Sequence, residues 1–262
     1  MKSLKTTPIP VVEMFSSIQG EGKRISPATF IRTGLCCFTC SGFGCKLQAP
    51  DGSIVTGCDS IRAVSPKFKN NWKYYNNFND LTHDIKNILN PKLLEDGILP
   101  DLVFTGGEPF LYWNNQIYQD TLAYFISRGF KLTIETNASL DIDFFREYQK
   151  QILFSMSVKL SHSGEPKERR INIETITKII ENSPNSFLKF VINPETWEND
   201  YKEIKEILDR IPYYIDVFLM PLGENQTQLQ NNTRFVIEKC IEYGFSYSDR
   251  AHIRAFNDLP GI

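Results

Sequence analysis

Residues 34–45 read GLCCFTCSGFGC and residues 57–60 read GCDS, so cysteines 36, 37, 40, 45 and 58 crowd into one stretch while Cys240 stands alone. In a reducing compartment such a cluster does not serve disulfides, and metal or catalytic use becomes the leading reading. Cys36 and Cys40 are spaced C-x3-C directly behind the apolar run at 28–33. Zinc ribbons close a tetrahedral site with two C-x2-C pairs, and no second pair is present. Three thiolates, by contrast, leave one iron of an iron–sulfur cluster free for an outside ligand.

Outward from that stretch, the chain alternates between two patterns. Short β-branched or aromatic runs at 28–33, 99–105, 131–136, 152–159, 186–192, 215–220 and 246–253 predict buried strands. Amphipathic segments at 81–89, 117–127, 141–148, 173–181, 201–211 and 235–243 predict helices between them. Asp80, Asp141 and Asn199 or Asp200 are the expected N-caps, and Gly129 and Gly244 the expected stops. Strands separated by helices build a parallel sheet whose chemistry sits in the loops at the strands' carboxyl ends. An α/β fold follows, either open and doubly wound or a full or partial barrel. The segment RAVSPKFKNNWKYYNNFN at 62–79 is polar and aromatic, and reads as a long loop or lid. With no repeat and no boundary in view, a single domain over 1–262 is expected.

Composition narrows the classes further. The 262 residues are 41% hydrophobic and carry a formal charge of −2, enough for a sizeable core and against a surface that grips nucleic acid. No apolar run approaches the roughly 20 residues that span a bilayer. The opening MKSLKTTPIPVVEM lacks the apolar centre of a signal peptide, so a cytoplasmic protein without a membrane anchor is expected.

A second motif strengthens the metal reading. TGGEP at 105–109 follows the predicted strand at 99–105; its glycines admit close backbone approach, and Glu108 can accept from a cationic amino group. The C-x3-C loop and this turn together resemble the radical S-adenosylmethionine (SAM) superfamily. Within it, MFSSIQGEG at 14–22 is similar to the N-terminal signature of the 7-carboxy-7-deazaguanine synthase family. The likeness continues through TFIRTGLC (29–36), CDS (58–60), IETN (134–137), SVK (157–159), LKFV (188–191), LMPLG (219–223) and a terminal PGI.

The resemblance implies a partial (β/α) barrel of the radical SAM type, with parallel strands and helices outside. It implies conversion of 6-carboxy-5,6,7,8-tetrahydropterin to 7-carboxy-7-deazaguanine with release of ammonia, in queuosine-type 7-deazapurine biosynthesis. Ile18, Gln19, Gly20, Glu21, Arg32 and Thr105 would bind the pterin, Arg32 as a planar fork for a carboxylate. Gly106, Gly107, Glu108, Thr136, Ser157 and Lys159 would hold S-adenosylmethionine. A 4Fe-4S cluster would take Cys36, Cys40 and Cys58. The usual third position, 43, is Phe43, and the CysAsp context recurs at Cys58 after an insertion; Cys45 is the competitor. Ser60 would ligate Mg²⁺, a cation that favours oxygen and keeps its waters.

Other residues read more blandly. Cys37 is expected as a small buried residue and Cys240 as core, while His83, His162 and His252 are expected to be solvated. Glu135, Thr136 and Asn137 are equally read as strand-end caps, and ThrAsnAla in place of ThrAsnGly weakens any case for positive φ at Ala138. The Ile262 carboxylate is a further candidate at the site. The resemblance also implies a flavodoxin or ferredoxin electron donor, no direct nucleic-acid contact and a homodimer. Two rivals remain: another radical SAM enzyme, such as a glycyl-radical activase, and a structural zinc protein using Cys36, Cys40, Cys45 and Cys58.

Overall fold

A computed structural model describes residues 4–257 and residue 259; the Ile262 carboxylate lies outside the described residues. The strands are β1 (Ile9–Gln19), β2 (Ser26–Thr33), β3 (Cys45–Gln48), β4 (Ile54–Gly57), β5 (Lys73–Tyr75) and β6 (Asp101–Gly106), followed by β7 (Leu132–Thr136), β8 (Leu153–Met156), β9 (Phe187–Ile192), β10 (Asp216–Pro221) and β11 (Ser246–Tyr247). Among the described residues a nine-stranded sheet runs β11-β10-β9-β8-β7-β6-β2-β1-β5, and β3 and β4 form a separate hairpin. From β2 to β11 every pairing is parallel, whereas β1 runs antiparallel to both β2 and β5. The expected α/β class with a large, mostly parallel sheet is therefore what forms.

The sheet has two free edges, yet it is not flat. β2 and β10 stand five strand spacings apart in that order, roughly 24 Å in a flat sheet at about 4.8 Å per strand. Lys23 lies only three residues before Ser26 at the start of β2, roughly 10 Å of chain, and still pairs with Asp216 of β10 at 2.7 Å. The sheet must curl to allow this, and the turn at 20–25 crosses the opening.

Register assigns the two faces. Ile31, Phe104, Ile134, Phe154, Leu188 and Leu219 share one face and pack into the main core with helical Ile85, Leu122, Phe125, Ile176, Ile179, Ile204 and Val236. The helices run Phe78–Ile88, Gln116–Ile126, Ile173–Asn182, Trp197–Leu208 and Gln226–Tyr243. On the opposite face Glu13 pairs with Arg32 and Arg32 with Thr105. Glu135 and Ser155 continue the same row. The strands are thus apolar toward the helices and polar toward the interior of the curl. Phe15, Phe30, Ala28 and Val103 form a small apolar floor on that polar side.

Several expected elements take another form. The 141–148 segment is not a helix: Ile142 is buried and Phe144 packs on the core, a period of two that suits extended chain. Gln149 accepts from the Phe145 and Arg146 amides instead, starting a 3-10 turn at Glu147–Gln151. The 246–253 strand stops at Tyr247, and Ala251–Phe256 is helical with Ile253 as its buried residue. The long first strand Ile9–Gln19 and the first half of the Gln226–Tyr243 helix carried no clear periodic signal. Asn77, rather than Asp80, caps the Phe78–Ile88 helix by accepting from the Asp80 amide. Asp200 lies inside the Trp197–Leu208 helix, while Gly244 ends its helix as expected with φ +74°.

The 62–79 stretch is not a loose lid. It contains a 3-10 helix at Pro66–Asn71 and edge strand β5. Phe68 and Trp72 are buried against Ala49, and the Trp72 indole donates to the Arg62 carbonyl at 3.1 Å. Burial of these aromatics fastens a stretch whose asparagines and lysines alone suggest disorder.

Candidate active site

The parallel pairing puts the ends of β2, β6, β7 and β8 on one rim, and the loops there carry the motifs. After β2 the chain passes Leu35 at φ 71° and Cys40 at φ 48°. The carboxylate of Glu165 accepts from the amides of Thr39 and Cys40 at 2.8 and 2.9 Å, fixing the loop from outside. The carbonyl of His162 lies so near Gly42 that a Cβ there would sit 2.0 Å away.

The two glycines of TGGEP meet this loop directly. Gly106 has φ +127°, and a Cβ on it would lie 2.2 Å from the Thr33 carbonyl oxygen. The Gly107 and Glu108 amides donate to the carbonyls of Thr33 and Leu35 at 3.0 and 2.8 Å. Glu108 is fully buried (0% exposed), and its carboxylate accepts from the Phe110 amide, the Thr136 hydroxyl and the Asn137 amide at 3.0, 2.6 and 2.8 Å. Burial first, then nearby Cys37, pushes its carboxyl up to about 7. This side chain braces the rim from beneath.

The cysteines fall into two sets on the rim. Cys36 accepts from the Phe38 amide at 3.4 Å and lies against Cys37. Cys37 is only half-buried, with Asn137 Nδ2 and Ser139 Oγ each 3.4 Å away, so it is less buried than expected. Cys40 and Cys58 lie nearer Lys159. Burial raises their thiols to about 12 and about 11, and the Lys159 ammonium opposes that rise at both. Cys45 sits on β3 opposite Gly57, and burial and the Glu224 carboxylate both push its thiol up. Among the described residues no three Cys, His, Asp or Glu side chains have converged to ion-holding geometry. Cys36, Cys40 and Cys58 share the rim without meeting at a point. Lys159 also donates to Ser157 at 3.1 Å, and Cys240 lies in the core as expected.

Inside the curl the polar row continues the site. Arg32 donates to Glu13 at 2.7 Å and to the Ser60 hydroxyl at 3.3 Å. Glu135 accepts from Thr105 at 2.8 Å and from Gln19 at 3.1 Å. Glu21 pairs with Lys189 and, at 3.1 Å, with Arg250. Burial works to raise the Glu21 carboxyl, but Lys189 and Arg250 outweigh it and hold it well below the carboxylate range. Gly20 leaves no room for a side chain, since a Cβ would lie 2.9 Å from the His252 backbone nitrogen and 3.1 Å from that of Ala251.

Sequence reasoning missed Lys189, Arg250, Asp59 and Glu165. Lys189, 3% exposed within FLKFVI, had a legible signal, since a lone lysine amid buried apolar neighbours needs a partner. Arg250 had none. Two histidines are also corrected. The His162 side chain is 6% exposed and pairs with Asp200 at 3.0 Å, and His252 is half-buried beside Gly20, where burial lowers its pKa. His83 is exposed as expected.

No protein-family model matches the chain. Similar curated proteins are the 7-carboxy-7-deazaguanine synthases of three organisms. That of Halobacterium salinarum is 27% identical, covering 96% of this chain and 92% of that protein. That of Rhodopirellula baltica is 28% identical, covering 96% and 88%. That of Pyrobaculum aerophilum is 25% identical, covering 98% and 100%. The crystal structure of QueE from Escherichia coli shares the fold, with a TM-score of 0.55 and 19% identity over 92% of this chain and 93% of that one. In sequence along nearly all its length this chain is similar to 7-carboxy-7-deazaguanine synthases, and in fold to QueE.

Proposed function

We propose that the protein is a radical S-adenosylmethionine enzyme that converts 6-carboxy-5,6,7,8-tetrahydropterin to 7-carboxy-7-deazaguanine with loss of ammonia. The observation that carries this reading is the polar row inside the curl. Arg32, Thr105, Glu135, Gln19 and Glu21 lie on the interior side of strands whose rim holds the thiols and the glycine turn. A planar, charged heterocycle needs such a set of donors and acceptors beside a radical source.

The donor set fits a 4Fe-4S cluster: Cys36, Cys40 and Cys58 are thiols on one rim, and their loops are already fastened by Glu165 and the Gly106–Gly107 turn. When bound, the cluster would supply the one electron that splits S-adenosylmethionine into methionine and a hydrogen-abstracting 5′-deoxyadenosyl radical. The chain's own residues position and exclude water. Backbone around Gly106 and Gly107 would hold the methionyl end of S-adenosylmethionine, with Thr136, Ser157 and Lys159 beside it and Glu108 as the buried brace. Arg32 offers its guanidinium to the pterin carboxylate. Gln19, Gly20, Glu21 and Ile18 hold the opposite side, with Thr105 between. The Ser60 hydroxyl, next to Arg32 and Asp59, would give Mg²⁺ one oxygen.

Beyond the site, the reading carries a flavodoxin or ferredoxin donor, a homodimer and a cytoplasmic location. The test is anaerobic reconstitution with iron and sulfide, then incubation with S-adenosylmethionine, reductant and the carboxypterin. Formation of 5′-deoxyadenosine together with the deazaguanine acid supports the proposal. A protein that holds zinc, or that cleaves S-adenosylmethionine without consuming the pterin, overturns it.

A further inference from the structure

Arg250 lies in the loop before the Ala251–Phe256 helix, outside every motif above, and its side chain is 13% exposed. Each arm of its guanidinium meets a different segment. Nε donates to Glu21 Oε1 at 3.1 Å, Nη1 to the Gly223 carbonyl at 2.5 Å, and Nη2 to Asp59 Oδ2 at 2.7 Å. The backbone supports the same junction: the Ala251 amide donates to the Gly20 carbonyl at 3.1 Å, and the Gly22 amide to Ser248 Oγ at 2.9 Å.

The contacts continue past Asp59. Ser60 Oγ lies 3.3 Å from Asp59 Oδ1, and Arg32 Nη1 lies 3.3 Å from Ser60 Oγ. One hydrogen-bonded path therefore joins Glu21 to Arg32 through Arg250, Asp59 and Ser60. On the functional reading above, on which this step rests, Glu21 and Arg32 grip opposite sides of the substrate, and Asp59 is bonded to Cys58. We infer that Arg250 is a positioning residue: it fixes the separation of the two substrate anchors and ties both to the loop that carries Cys58. A planar fork satisfies three acceptors at once, while an ammonium is a compact point charge. Without the fork, Glu21 and Asp59 face one another as like charges, and Glu21 keeps Lys189 as its salt-bridge partner, with His252 nearby.

The test compares Arg250→Met and Arg250→Lys in the reconstituted holoenzyme, with KM, kcat, iron content and urea midpoint measured for each. For Arg250→Met the expected result is a KM for the carboxypterin raised about tenfold, with kcat changed less than KM. Arg250→Lys is expected to recover most of the urea midpoint while KM stays raised, because one ammonium cannot span both carboxylates. A wild-type KM in either variant overturns the inference. So does a common loss of iron, kcat and stability that lysine fully repairs, since that pattern describes a folding charge alone. The bridge is read independently of turnover by a urea double-mutant cycle between Arg250→Met and Asp59→Asn. Non-additivity is expected, and additive effects refute the bridge. If the wild-type enzyme makes no deazaguanine acid, the functional reading fails, and the cycle still decides whether Arg250 couples the two loops.

Discussion

The carbonyl oxygen of Leu35 lies 1.8 Å from where a Cβ on Gly107 would stand. The loop after β2 and the turn after β6 are therefore in backbone contact, and the Glu108 amide donates to that same Leu35 carbonyl at 2.8 Å. The glycine pair first serves the chain's own packing, and any ligand on the rim inherits the geometry.

Gly107→Ala is expected to be among the most damaging single-atom additions in the protein. The obstacle is a backbone carbonyl rather than a flexible side-chain end, so one loop must move. An overpacking cost of about 3 kcal/mol is expected, read as a lowered urea midpoint, together with poor retention of iron after reconstitution. A variant with wild-type stability and iron content would mean that the two loops are not in contact.

Ala138 offers the opposite case. It is 1% exposed and adopts φ 55°, a left-handed conformation that costs a residue with a Cβ roughly 1–2 kcal/mol. Its amide donates to Thr136 Oγ1 at 3.0 Å, which holds the turn in place despite that cost. The positive φ exists here without the glycine that usually signals it. Ala138→Gly is expected to raise stability by about 0.5–1 kcal/mol, since relief of the strain exceeds the added entropy of the unfolded chain. A calorimetric melt of the two proteins side by side checks the sign.

The parallel strands were legible because most are short, largely apolar runs buried on both faces, and because most of the helices between them have clean stripes. The antiparallel strand β1 was not, since its Phe15–Ser16–Ser17 stretch has no sustained alternation. The rim motifs were legible because the cysteines crowd into one stretch and the paired glycines stand directly behind an apolar run. Lys189 and Arg250 act through partners more than 160 residues away in sequence. Only the curl of the sheet brings Glu21 to them, and no local pattern encodes a curl. His162 failed for a related reason, as its partner Asp200 sits on a helix that begins after the next strand.

Glu21 makes a pH-dependent prediction. Its folded-state carboxyl is held well below the ordinary value of 4.5, because Lys189 and Arg250 outweigh the opposing effect of burial, and His252 faces it as well. A depressed folded pKa contributes stability that is complete above the unfolded value and is lost as pH falls below it. Glu21→Gln leaves a buried lysine unpaired and is expected to cost about 3 kcal/mol at pH 7. The gap between wild type and variant is expected to stay constant from pH 8 to about 5, then narrow by about 1.4 kcal/mol per pH unit below about 4.5. Urea midpoints across that range measure it. A gap that widens in acid would show that Glu21 is not the ionised partner.

Cys45 and Cys58 have different neighbours, and variants at the two positions test which of them is the third ligand. Cys45 pairs across the hairpin with Gly57, and the Glu224 carboxylate raises its thiol, which is the signature of a thiol that donates to a carboxylate rather than one poised as a thiolate. A serine hydroxyl performs that donation equally well. Cys58 sits past the end of β4, where burial and the adjacent Asp59 carboxylate raise its thiol while the nearby Lys159 ammonium favours the thiolate against both. Cys45→Ser is therefore expected to keep about four irons per chain after anaerobic reconstitution, with an unchanged visible spectrum. Cys58→Ser is expected to lose most of both, because a thiolate is replaced by an alcohol on the loop that Arg250 and Arg32 fasten through Asp59 and Ser60. Iron and sulfide assays on the two variants separate the alternatives directly. Loss of the centre from the position-45 variant and its survival in the position-58 variant would move the third ligand onto the hairpin and leave the Asp59 anchor without a role in holding it.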